Sequence, residues 1–362
     1  MSEILAPCGA MESLTAAVNA GADAVYLGEE YFSARKNADN FTAEQLCDAV
    51  RFCHYSGVKV YVTLNTLVFD REIPLLAKAI ENCAKADVDA FIVQDMGVAR
   101  LARQIVPELP LHASTQMTVN SPEGAIMAKE LGFTRVVLGR ELSLAQIKAI
   151  TESCDIETEL FVHGALCVCI SGQCYMSSVL GGRSGNRGLC AQPCRLDFTS
   201  GDRHNVLSLK DLSLTEKLPE LAKAGITSFK IEGRMKRPEY VAGAVNACRV
   251  ALDGGTPDLI SLKNVFSRSG FTSGYFDDDF KNMQGVRTKD DVTSATSKVL
   301  SAMKQYYHKP FRRFPADITV NVKSGQPVSY KLSACGVSSS AVGDIPEKAV
   351  NRAVTAEYLE NQ

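Results

Sequence analysis

Five cysteines, Cys167, Cys169, Cys174, Cys190 and Cys194, crowd one short stretch of a 362-residue chain that carries 12 in all. The other seven, at positions 8, 47, 53, 83, 154, 248 and 335, are scattered. In a reducing compartment, clustered thiols point to metal binding or catalysis before disulfides. Cys167, Cys174, Cys190 and Cys194 have the spacing C-x6-C-x15-C-x3-C within "HGALCVCISGQCYMSSVLGGRSGNRGLCAQPCR". The glycines of that stretch let a loop wrap a compact inorganic core with its amides turned toward sulfide. Four thiolates suit a 4Fe-4S cluster. Zinc is the alternative, although only the second cysteine pair is as tight as a zinc knuckle. Cys169 is then spare, a small buried residue near the site.

A second group of polar residues is defined by the strands that must carry it. Short β-rich apolar runs alternate with amphipathic helical stretches, at residues 4–7, 24–28, 59–64, 90–93, 111–115, 135–138, 157–162 and 228–231. Eight βα units over this length predict a TIM (β/α)8 barrel. Side chains alternate along a strand, so one set enters the barrel and the other meets the helices. In "SFKIEGRM" that rule aims Lys230, Glu232 and Arg234 inward, and in "KVYVTLN" it aims Tyr61, Thr63 and Asn65. His112, Ser114 and Gln116 share one face of "LHASTQM", and Glu159, Phe161 and His163 share one face of "ELFVHG".

Polar residues at the C-terminal strand ends form the catalytic face of a barrel. His163, Glu232 and His112 are the candidate catalytic residues. His163 suits a proton donor beside the cysteines, a ring for base stacking or a satisfied buried histidine, and Glu232 could equally be half of a structural ion pair. Asn65, Ser114, Gln116, Arg140, Glu141, Lys230 and Arg234 are the candidate substrate contacts, with the Arg140 guanidinium suited to gripping a carboxylate. Arg183, Arg187 and Arg195 flank the cysteines, while Lys236 and Arg237 follow the eighth strand; together they would make a phosphate-gripping rim, as a nucleic-acid partner would need. "KPFRRF" could extend that rim, with Phe311 or Phe314 as a stacking platform, or be plain linker.

Composition bounds the rest. With 46% hydrophobic and 22% charged residues the chain reads as an ordinary globular protein. A net charge of −2 requires any nucleic-acid partner to be held by a local basic patch. No apolar run is long enough to span a membrane and the first residues are not those of a signal peptide, so the expected location is the cytoplasm. The expected domains are a barrel over 1–252 with a cysteine-rich insertion at 164–227, a connecting segment over 253–313, and a small β-rich domain over 314–362. In the last, "FPADITVNVKSGQPVSYKLSA" alternates with period two around a glycine-containing turn. A further helix is expected shortly before Gln362, where the domain looks incomplete.

The block "ELFVHGALCVCISGQCYMSS" resembles the signature of the U32 collagenase-like peptidase family. "APCGAMESLTAAVNAGADAVYLG", "YVTLNTLV", "HASTQMTVNS", "GRSGNRGLCAQPCR", "SLKDLSL" and "FKIEGRMKRPEYV" resemble its other blocks, in family order over residues 3–245. The continuation through "FSRSGFTSGYF" is most similar to the N-terminal part of the ribosomal-RNA cytidine hydroxylase branch. That resemblance implies a barrel, a 4Fe-4S cluster on the four matching cysteines, and oxygen-independent hydroxylation of an RNA base that depends on prephenate, a small dicarboxylate. It favours ribosomal RNA over tRNA, while sister branches act on tRNA uridine or ubiquinone. The peptidase label also belongs to the family, yet the chain has no G-x-S-x-G elbow and no H-E-x-x-H helix. Two rivals therefore stand: a peptidase using a metal-bound water or a cysteine, and a noncatalytic RNA-binding factor with a structural metal.

Overall fold

A computed structural model describes residues 2–35, 38–311, 313–347 and 355. Eight parallel strands close into a barrel: β1 (Glu3–Pro7), β2 (Ala24–Leu27), β3 (Lys59–Leu64), β4 (Ala90–Val93), β5 (Leu111–Ala113), β6 (Arg135–Val137), β7 (Glu157–Ala165) and, after a short β8 (Asp211–Ser213), β9 (Ser228–Ile231). Each strand pairs with the next, β7 pairs with β9, and β9 returns to β1. β8 lies antiparallel on β7 and carries a two-residue β10 (Phe271–Thr272) at its far edge. All eight strands expected from the period of the sequence are present.

Helix boundaries follow local chemistry. Thr42 caps the helix Ala43–Tyr55 by accepting from the Gln45 amide, with the Gln45 side chain reaching back, and Ser143 with Gln146 does the same for Leu144–Thr151. The helix after β9, Pro238–Leu252, begins with proline, whose missing N–H costs nothing in a first turn. The helices Leu259–Val265 and Ser297–Lys304 pack on it. Residues 253–311 therefore belong to the barrel's own compact unit, which runs Met1–Phe311, and are not a free-standing connection. The second unit, Arg312–Gln362, holds a three-stranded antiparallel sheet of β11 (Ala316–Asn321), β12 (Ser329–Ala334) and β13 (Val337–Val342). The helix expected near Gln362 falls outside the described residues.

Phe311 lies against Gly21 and the Arg249 guanidinium. Gly21 precedes β2, so this ring sits at the N-terminal end of the strands, away from the face where a stacking platform was expected.

The barrel is filled in two ways. Leu5, Ala24, Tyr26, Tyr61, Ala90 and Ile92 form a small apolar interior cluster, separate from the large core between strands and helices. Around it runs a chain of buried charges. Arg135 meets Glu3 at 2.7 Å and Glu159 at 3.2 Å, and Lys230 meets Glu159 at 2.6 Å. The Tyr61 and Ser228 hydroxyls donate to Glu3 at 2.7 and 2.8 Å. Buried charges persist only when paired in this way, so the network fixes the relative heights of β1, β6, β7 and β9.

The alternation rule fails at one place. Between Phe161 and His163 the β7–β9 register shifts, so that His163 pairs with Ile231 instead of continuing the inward set. Its ring turns to the helix side, 5.0 Å from Phe271 and 5.7 Å from Tyr240, and Nδ1 is 3.4 Å from Ser213 Oγ. Burial lowers its pKa to about 4, so it is neutral near pH 7. The expectation that Glu159, Phe161 and His163 share a face is corrected accordingly.

Two outcomes follow. The His163 pKa is depressed from 6.5 to about 4, so the unfolded chain binds the extra proton, and the stability present above the unfolded value is lost as pH falls from 6.5 toward 4. Urea unfolding of His163→Gln should lack about 2 kcal/mol of the stability loss that the native chain shows between pH 7 and pH 5. Lys230→Met leaves Glu159 sharing Arg135 alone, and should lower the urea midpoint by an amount corresponding to about 3 kcal/mol.

Candidate active site at the barrel mouth

Glu232, just beyond β9, is held between two guanidiniums: Arg35 Nη2 lies 3.1 Å from Oε1 and Arg140 Nη2 lies 3.3 Å from Oε2. Burial disfavours its charge, but Arg35 and Arg140, with Arg234 behind them, prevail and hold its pKa down to about 2. It is a carboxylate at neutral pH, and a weak base while so paired. Arg234 donates to Ser33 Oγ at 2.5 Å and to Thr63 Oγ1 at 2.9 Å. Burial brings it down to about 10, which leaves it protonated. The mouth thus gathers three guanidiniums about one carboxylate.

Arg140 reaches further than the others. Nη1 donates to the Ala165 carbonyl at 3.0 Å and lies 3.9 Å from Cys167 Sγ, while the guanidinium stacks 4.0 Å from the Phe161 ring centroid. One side chain therefore joins the charged mouth to the first cysteine.

On the opposite wall Asn65, Ser114 and Gln116 come together at the ends of β3 and β5. Asn65 Nδ2 donates to Ser114 Oγ at 3.4 Å, and Gln116 Nε2 donates to the Asn65 carbonyl at 3.2 Å. His112 sits deeper, edge-on to Tyr61 at 4.8 Å, with Nδ1 unpartnered. Burial first, then Arg135 and Lys230, push its pKa well below the usual value, so it is a neutral interior ring. Lys230 lies beside it in the charge network and not at the rim.

The cysteine loop is docked on this mouth by specific contacts. Glu141 accepts from the Ser171 amide at 3.1 Å and hydroxyl at 2.8 Å, so its carboxylate anchors the loop and does not face a substrate. Thr118 donates to the Ser171 carbonyl at 2.9 Å. Gly172, at φ +80°, passes so close to Gln116 that a Cβ would stand 2.4 Å from its carbonyl oxygen. Arg187 forms a fork on Glu72, at 2.6 and 2.8 Å, and Arg195 donates to the Leu166 carbonyl at 2.6 Å and to that of Leu209. Arg187 and Arg195, expected on a phosphate-binding rim, thus spend most of their donors inside the protein. Arg183 and Arg237 are exposed.

Around the thiols, Cys190 Sγ receives the Gln192 amide at 3.4 Å and faces the Ser177 hydroxyl at 3.9 Å. Burial raises the Cys194 pKa, Arg195 works the other way, and Cys167, Cys190 and Cys174 add to the rise. Cys169 is half-buried, and burial first, then Cys174, raises its pKa. Among the described residues no three Cys, His, Asp or Glu side chains converge closely enough to hold a single metal ion.

Arg35 was missed in the sequence. Its position in the loop after β2, at the C-terminal strand end, was the only available signal.

Residues 9–284 match Peptidase family U32. Over 284 residues the chain is 43% identical to a protein of Escherichia coli named 23S rRNA 5-hydroxycytidine C2501 synthase, covering 76% of this chain and 42% of that one. It is 38% identical over 270 residues to a Bacillus subtilis protein named tRNA hydroxylation protein P1, covering 71% and 64%. It is also 36% identical over 306 residues to a Porphyromonas gingivalis protein named collagenase, covering 76% and 73%. The chain thus spans less than two thirds of the length of the first two relatives. The blocks that carry the mouth arginines and the clustered cysteines lie inside the matched region, and the chain belongs to Peptidase family U32.

Proposed function

We propose that this chain hydroxylates a base of RNA, ribosomal RNA in preference to tRNA, with an iron–sulfur cluster on Cys167, Cys174, Cys190 and Cys194 and a prephenate-like dicarboxylate as co-substrate. The observation that carries the reading is the junction at Arg140, which touches Glu232 and Cys167 at once. A redox centre and an anion-binding pocket would share one residue there. Two relatives named for RNA hydroxylation support the direction of the reading.

The donor set fits such a cluster. The four candidate ligands are all sulfur; the Gln192 amide and Ser177 hydroxyl are turned toward Cys190 and Arg140 toward Cys167, as would suit thiolates bound to iron. Zinc–sulfur bonds of about 2.3 Å would draw four thiols to within about 4 Å of each other. When bound, the cluster would supply electron transfer next to the pocket.

The protein's own residues do the rest. Arg35 and Arg234 are free to bind a carboxylate with donors that Glu232, Ser33 and Thr63 do not take, and Arg234 is held rigid by its two hydroxyl partners. Asn65, Ser114 and Gln116 present amide and hydroxyl groups that suit the edge of a base. Neither neutral His112 nor outward-turned His163 is placed to shuttle a proton at the mouth, so the orientation of substrates by charge is the main contribution we assign to this set. The family's peptidase name draws no support from the mouth, where no nucleophile is paired with a base among the described residues; the one Ser–His contact, Ser213 with His163, lies on the helix side.

Anaerobically purified protein should absorb in the visible with iron and sulfide present, and Cys167→Ser, Cys174→Ser, Cys190→Ser or Cys194→Ser should each abolish that absorbance with the fold retained. Zinc in place of iron would defeat the cluster assignment. Mass spectrometry of RNA from a deletion strain should show one base lacking a hydroxyl; unchanged modification of every RNA would defeat the activity. Arg140→Ala should lower kcat/KM for the co-substrate by about tenfold to a hundredfold, the cost of one charge-assisted contact.

A further inference from the structure

Beside the mouth lies a second concave surface, outside the set of residues assigned to the pocket. It is a cleft of about 700 Å³ between the cysteine loop, represented by Gln192 and Arg195, and the segment after the closing helix, represented by Phe266, Arg268 and Arg287. That size is in the range of nucleotide and small-ligand sites. Lys236, from the loop after β9, forms its floor.

Cations gather around one ring there. Lys236 Nζ lies 2.9 Å from the Phe266 ring centroid, the Arg287 guanidinium 4.3 Å and the Arg268 guanidinium 5.3 Å. Asp211 pairs with Arg268 at 2.5 Å. Among the described residues neither Lys236 nor Arg287 has a carboxylate within ion-pair distance. Burial, and the repulsion of Arg268 and Arg287, bring Lys236 down to about 7 despite the pull of Asp211. Half-buried, crowded by like charges and with no carboxylate at ion-pair distance, Lys236 is costly to protonate until an anion arrives from outside.

We propose that this cleft receives the phosphodiester backbone of the RNA substrate, with phosphate oxygens held by Lys236, Arg268 and Arg287. The proposal rests on the RNA reading given above. Its geometry favours an extended polyanion over a free anion, because Arg287 stands exposed at one edge while Gln192 and Arg195 carry the wall on to the cysteine loop. A strand lying there runs past the mouth and presents its bases beside it.

The test is equilibrium binding of a short single-stranded RNA oligonucleotide to the full chain across a range of salt concentrations. For single strands each phosphate contact contributes about 0.7 to the slope of log affinity against log salt. The double variant Lys236→Gln with Arg287→Gln should bind about tenfold or more weakly, with a slope shallower by about 1.4, while Lys236→Arg should keep the native slope. Arg287→Gln alone, at an exposed position that does not threaten folding, should lose about 0.7. Native affinity and slope in both Gln variants would overturn the proposal. So would inorganic phosphate that saturates the cleft, read as quenched reactivity of Lys236 to an amine reagent, without competing with the RNA. Binding is read without turnover, so a failure here leaves the mass-spectrometric test of hydroxylation standing, and RNA held in the cleft but never modified would sink only the hydroxylation.

Discussion

The carboxylate of Glu232, clamped between Arg35 at 3.1 Å and Arg140 at 3.3 Å, ties together three loops that come from distant parts of the chain. Arg35 follows β2, Arg140 follows β6 and Glu232 follows β9, so one buried anion sets the spacing of the mouth across its diameter. The same anion lets three guanidiniums coexist where their mutual repulsion would otherwise spread them apart. Its ionisation is accordingly held down to about 2, and the clamp persists across the physiological range.

The cysteine loop inherits its position from this clamp. Arg140 reaches from Glu232 to the Ala165 carbonyl and Cys167, while its neighbour Glu141 grips Ser171 from the other side. Two adjacent residues thus do opposite jobs, one facing the pocket and one holding the cysteine loop in place. Arg187 on Glu72 and Arg195 on backbone carbonyls complete the docking. A loop of more than forty residues with little regular structure is stable here because its ends are strand-bound and its middle is anchored at several separate points.

Positions that kept the strand period were legible: Lys230, Glu159, Asn65 and Ser114 lie inside the barrel or at its mouth as alternation requires. His163 was misplaced because a single register shift after Phe161 reverses the faces beyond it, and the mark that "ELFVHG" carries for such a shift is Gly164, inside the strand at φ +111°. Glu141 and Arg187 were misjudged for a different reason. A charged loop residue reads the same in sequence whether its partner is a substrate or Ser171 and Glu72. Arg35 went unnoticed because its role depends on Glu232, nearly two hundred residues away.

What the linear order of residues determined was the eight-strand barrel, the site of its insertion and the cluster of five cysteines within it, since these follow from periodicity, turn chemistry and spacing that each segment carries within itself. Tertiary structure alone decided which charges pair. It turned Glu141, Arg187 and Arg195 inward as fasteners, left Lys236 and Arg287 with no carboxylate at ion-pair distance among the described residues, and brought Arg35 across the mouth to Glu232. Ion pairing acts over a few ångströms in space and is indifferent to separation along the chain, so it becomes visible only when the fold has closed.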